Sequence, residues 1–181
     1  MTSHHHTGFR RRLAGWAIWL SLGATPIALT AQSAVYVTEA DVEATVEAAP
    51  EDRVSDQQIR MIDAGGHNVG LGVVTRPATD RPSAILHHQQ TEIYHVLGGR
   101  GTMVTGGRLT KSRELDPEGV VVKKLTGPSA IGVIDGGQTH DLVAGEYVIV
   151  PAGLAHGFAE IHEAITYVVI RVDPEQVVEL K

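Results

Sequence analysis

Between residues 59 and 172 the chain is written in short runs rich in Val, Ile and Thr, cut at regular intervals by Gly and Pro. Such punctuation favours strands, because β-branched side chains fit a pleated surface and Gly and Pro end it. The predicted strands are 59–63, 69–75, 92–97, 102–105, 120–125, 131–135, 138–143, 146–150 and 164–172. Gly65-Gly66-His67-Asn68 turns the first hairpin, and Gly136-Gly137 turns a later one. Residues 76–82 read as a loop, and 109–119 as a polar surface insertion. Nine short strands with no intervening helix, and no internal repeat, predict an antiparallel all-β sandwich or barrel.

Upstream the pattern changes. Thr38 followed by Glu39 and Asp41 reads as a helix cap with acids in the first turn, and Pro50 stops that helix near Ala48. Before it, Arg10, Arg11 and Arg12 precede an apolar stretch at 13–29, then small residues Ala31, Ser33 and Ala34. A basic head, an apolar middle and a small-residue exit describe a secretory signal peptide, cleaved after Ala31 or Ser33. The bland alternative is an uncleaved anchor; the arginines also fit a twin-arginine leader. The expected division is a signal peptide at 1–33, an N-terminal helical segment at 34–58 and a β-barrel domain at 59–181. The mature protein is then periplasmic or secreted.

The 181 residues contain no cysteine, which excludes disulfides, thiolate ligands and a cysteine nucleophile. Any metal is therefore held by nitrogen and oxygen. Loss of the leader removes three Arg and no acid, so 15 basic residues become 12 against 21 acidic, a net charge of −9. No basic cluster survives, so neither nucleic acid nor an anionic membrane is an expected partner. The acidic balance also gives no steering toward anionic substrates.

Two histidine-bearing segments stand apart. The second, from Gly145 to Glu160, reads G-x5-P-x-G-x2-H through Pro151, Gly153 and His156. The first runs from Leu86 through His87, His88, Glu92, Tyr94 and His95 to Gly99. On these residues the chain resembles the cupin superfamily. The second segment matches that family's second motif at every fixed position but the last, where Glu160 replaces the usual Asn. In the first motif, His88, three spacers, Glu92, six spacers and Gly99 fit the latter half. Leu86 stands at the first His position and Asp80 at the leading Gly. The resemblance covers residues 59 to 172 and implies a single cupin domain, an antiparallel double-stranded β-helix (jelly-roll barrel) with a short N-terminal helix.

It also implies a metal site of His88, Glu92 and His156, a reduced set beside the family's three His and one Glu. Four spacers in place of three would make His87 the ligand; the motif's register favours His88. Glu92, Tyr94 and Val96 share strand parity and point one way, with His95 on the opposite face. A carboxylate aimed into an apolar barrel is costly unless paired or bound to a cation. Two histidines and one carboxylate suit non-haem iron first, with Mn, Zn or Ni as alternatives. The implied function is an exported metal-binding protein acting on a small organic molecule, by dioxygenase-type chemistry or as a lyase or isomerase. The alternative is a non-catalytic periplasmic binding or sensor protein with a degenerate metal site. The implied partners are a small-molecule ligand and a second copy in a homodimer.

Overall fold

The computed structural model describes residue 1 and residues 33–181; the leader expected at 1–33, with His4, His5 and His6, falls almost wholly outside the described residues. Among the described residues, no helix is long and apolar enough to cross a membrane. Helix α1 spans Glu39–Glu47 and begins where the capping sequence predicts. Thr38 Oγ1 accepts a hydrogen bond from the Asp41 amide at 3.1 Å, and the Thr38 amide donates to Asp41 Oδ2 at 2.9 Å. Two otherwise unpaired amides are thereby satisfied. None of its side chains is buried, and Gln57 Nε2 donates to the Thr45 carbonyl to hold it against the sheet.

Nine strands follow: β1 Ser55–Asp63, β2 Asn68–Arg76, β3 Ser83–His87, β4 Thr91–Thr105, β5 Arg108–Glu114, β6 Ser129–Asp135, β7 Gln138–Val143, β8 Tyr147–Val150 and β9 His156–Asp173. Every pairing is antiparallel, as the jelly-roll expectation requires. Strand β9 is the spine. Its last nine residues pair with β2, its first three with β3, and nearly its whole length with β4. On its other edge β4 takes β8 beside Glu92–His95 and β7 beside Arg100–Thr105. The enclosed core includes Tyr94, Val96 and Met103 from β4 and Phe158, Ile161, Ile165, Tyr167 and Val169 from β9. Full burial of each such apolar side chain stabilises the fold by roughly 1.5–3 kcal/mol.

Several expected boundaries move. Predicted strands 92–97 and 102–105 are one strand, β4, because the Gly98-Gly99 break is a run of bulges and not a turn. A Cβ on Gly99 would stand 2.0 Å from the Ala164 carbonyl oxygen, so the close approach of β4 and β9 requires glycine there. The 109–119 insertion is half strand: β5 runs to Glu114 as an edge beside β6. The segment predicted as strand 120–125 instead forms a π-helical turn over Val122–Thr126, closed by Gly127 N–H on the Val122 carbonyl at 3.0 Å. Only Val122 and Thr126 are buried there, and tertiary fit overrides the β-branched preference of the valines. Strand β3 and the first eight residues of β9 lie where no strand was predicted.

The β3–β9 contact is as close as backbones allow. A Cβ built on Gly157 would meet the Ser83 carbonyl oxygen at 2.0 Å and the Ala84 Cα at 2.6 Å. Neither is the end of a flexible side chain, so Gly157→Ala must push two strands apart. The expected result is a destabilisation of about 1–3 kcal/mol or more, read by thermal or denaturant unfolding. Wild-type stability in that variant would contradict the packing.

Candidate metal centre

The end of β3 decides which histidine faces inward. His87 is its last residue, shares parity with Ile85, and is buried. His88 lies beyond the strand; its side chain is 41% exposed, with Nε2 2.9 Å from Glu114 Oε2 on the surface. The register expectation is therefore corrected: His87, at four spacers from Glu92, enters the barrel in place of His88. The family's first His position then falls on Ile85, not Leu86.

Glu92 is the second residue of β4, and Glu92, Tyr94 and Val96 are all buried, as their parity predicts. His156 opens β9 after the Pro151–Gly153 turn, where Gly153 takes a φ of 78° that favours glycine. The Gly153 amide donates to the His87 carbonyl at 2.7 Å, tying the second motif to the first. His87, Glu92 and His156 are all buried, and one donor atom from each lies within 4.8 Å of the others.

The rings are held from behind. His87 Nδ1 lies 3.1 Å from the Thr126 carbonyl oxygen and 2.9 Å from Ser129 Oγ. His156 Nδ1 lies 3.0 Å from the Leu154 carbonyl oxygen. A carbonyl only accepts, so both Nδ1 atoms carry the proton and both Nε2 atoms are turned inward. Each Nε2 stands 3.2 Å from Glu92 Oε2. In neutral imidazoles that sets two lone pairs against an anionic oxygen, an arrangement a cation between them relieves. Donors about 2.0–2.2 Å from a first-row ion stand roughly 3–3.5 Å apart, so the spacing fits a metal. Fixing Nδ1 on carbonyls is the usual outer support of a metal-binding histidine.

Glu92 is equally well anchored. Its Oε1 accepts from Arg171 Nε at 2.9 Å, and its Oε2 accepts from the Tyr94 hydroxyl at 2.7 Å. Arg171 is buried and turns its other edge to Asp56, at 3.1 and 2.6 Å, and to Gln58 Oε1 at 3.3 Å. Burial alone would raise the Glu92 pKa; the Arg171 charge beside it outweighs burial and holds the carboxyl well below its ordinary value. Burial and the Glu92 charge push the Tyr94 hydroxyl well above its ordinary value, so Tyr94 serves as a hydrogen-bond donor.

Arg171, Asp56 and Gln58 were missed by sequence reasoning. A signal existed for one of them: Arg171 shares inward parity with Ile165, Tyr167 and Val169, where a charge demands a buried partner. Of the remaining histidines, His95 stacks on Tyr147 with ring centres 4.2 Å apart, away from the centre. His140 meets Thr105 and His162 meets Thr102.

No protein-family model matches the chain, and neither does any curated protein. Solved structures do resemble it. The DMSP lyase DddQ from Ruegeria pomeroyi DSS-3 is similar over 69% of this chain and 49% of its own, at 16% identity and a TM-score of 0.43. This chain thus spans about half of that protein's length. The cupin domain of Cnp3 from Schizosaccharomyces pombe is similar over 70% of this chain and 66% of its own, at 11% identity and a TM-score of 0.45. An ectoine synthase from P. lautus is similar over 77% of this chain and 78% of its own, at 12% identity and a TM-score of 0.46. Likeness at this distance assigns no activity.

Proposed function

We propose that the protein is a metal-dependent enzyme of the cupin type acting on a small organic molecule, with His87, Glu92 and His156 as ligands. The observation that carries this reading is the inward turn of two carbonyl-anchored imidazoles onto one buried carboxylate. Two nitrogens and one oxygen suit iron first, then manganese, zinc or nickel. His87, Glu92 and His156 would hold a divalent ion through three donors, and such an ion would supply Lewis-acid or dioxygen chemistry; oxidation by dioxygen is the first reaction class to test, before lyase and isomerase chemistry. Around it, Arg171 keeps Glu92 ionised, the Thr126 and Leu154 carbonyls keep each Nε2 free, and Tyr94 donates to Glu92 beside a cavity of about 380 Å³.

Purified protein, stripped and then offered Fe(II), Mn(II), Zn(II) and Ni(II), is expected to retain one ion per chain, and His156→Ala to retain none. Elemental analysis that finds no ion on the wild type would overturn the proposal. A second reading, a non-catalytic binding or sensor protein, draws on Ile85 standing where the family's first histidine belongs. Ligand binding that survives His156→Ala would favour it. Export rests on the order of residues 10–34, and the N-terminal sequence of the mature protein tests it.

A further inference from the structure

The cavity beside His156 and Tyr94 is lined by Arg76, Lys111 and Arg113 and by no Asp or Glu. That is unusual in a chain with 21 acidic and 15 basic residues. Elsewhere the cations are commonly paired: Arg100 with Glu163, Arg108 with Asp135, Lys123 with Glu118. Among the described residues, none of the three cavity cations makes an ion pair.

Arg76 is the best placed of them. Its Nε donates to the Tyr167 hydroxyl at 3.0 Å, and its guanidinium carbon lies 5.5 Å from the centre of the Phe158 ring. Both contacts fix the plane of the group. Neither Nη nitrogen has a protein acceptor among the described residues, which leaves a two-pronged donor edge free. A half-buried guanidinium without an ion-pair partner is costly, and a bound anion supplies one. Lys111 takes a φ of 48°, uncommon outside glycine, within the irregularity between Thr110 and Arg113 on β5. That bulge brings Lys111 and Arg113 to the same cavity. Apart from Ser83, Tyr94 and His156, the remaining walls, including Met103 and Ile131, are apolar.

We propose that the cavity takes a small organic anion, a carboxylate on an apolar body, with the carboxylate on the free edge of Arg76 and the rest directed toward His156. A planar oxyanion matches the guanidinium fork, and Lys111 and Arg113 add positive potential. The chain-wide acidic balance, which suggested no such steering, is thus locally reversed. The proposal rests on the metal-centre reading for the reacting end of the ligand, but not for its charged end.

The test is a ligand-observed NMR titration of the full chain with acetate, butanoate and benzoate, against the matching amides and phenyl phosphate. It is run on metal-loaded and chelator-stripped protein. At least one carboxylate is expected to bind tenfold or more tightly than its amide and more tightly than phenyl phosphate. Arg76→Met removes that preference and leaves amide binding unchanged. Should Arg76→Met fail to fold, Lys111→Gln/Arg113→Gln is expected to weaken the carboxylate several-fold and flatten its salt dependence. Equal binding of acid and amide, or no effect of these substitutions, would overturn the proposal; tighter binding of phenyl phosphate would overturn the carboxylate assignment. If only the metal reading fails, no ion is retained yet the Arg76 effect persists. If only the anion inference fails, the ion is retained and Arg76 is without effect.

Discussion

Alanine at position 87 is expected to abolish metal retention, whereas alanine at the neighbouring position 88 is expected to leave it intact. His87 is buried with its Nε2 3.2 Å from Glu92 Oε2, and its loss removes one of three donors. Substitution of outer-shell partners costs about 10–100-fold in metal affinity, so a lost ligand is expected to cost more than about 100-fold. Among the described residues, the His88 side chain is engaged with Glu114, whose side chain is 69% exposed. Contacts of that kind contribute about 0–1 kcal/mol, so His88→Ala is expected to match the wild type in stability and metal content. Competition against a chelator of known affinity measures both variants, and circular dichroism checks that His87→Ala, which also gives up its bond to the Thr126 carbonyl, remains folded. Metal loss on His88→Ala with retention on His87→Ala would remove the assigned centre.

Replacing Arg171 with Met is expected to be the most destabilising single change. The guanidinium lies between Glu92, 2% exposed, and Asp56, whose side chain is 24% exposed. Asp56 can rehydrate; Glu92 cannot without opening the barrel. Removal of one partner of a buried pair costs about 3–5 kcal/mol, because it strands the other charge. In a chain of this size that corresponds to a fall in Tm of roughly 6–20 °C. Combining Arg171→Met with Glu92→Gln should cost clearly less than the two changes added together, since no charge is then stranded. Simple additivity would show that the two groups are not coupled.

The same pair sets an acid limit on the metal-free protein. The folded pKa of Glu92 is depressed, so its contribution is fully present above the unfolded carboxylate value of about 4.3 and is lost as pH falls below it. Thermal unfolding between pH 7 and 3 should show that loss in the wild type and a shallower decline in Glu92→Gln. Identical profiles would mean that Glu92 is not held ionised by its surroundings.

Much of this was legible in one dimension. Turn residues and β-branched runs determined an antiparallel sandwich or barrel, and the Pro151–Gly153 spacing singled out His156. Two-residue alternation sent Glu92, Tyr94 and Val96 to one side, where all three are buried. Such features are local: a turn or a pleat constrains side chains within a few residues of itself. The choice between His87 and His88 was not local. It depends on where β3 ends, and that is set by pairing with β6 and β9, which lie more than 40 residues away in the chain. Arg171 reaches Glu92 and Asp56 across 79 and 115 residues, separations that carry no periodic signature. His87 closes β3 facing the core and His88 lies just past it, so a single residue separates the inward-facing histidine from a surface side chain, and only the folded sheet defines that end.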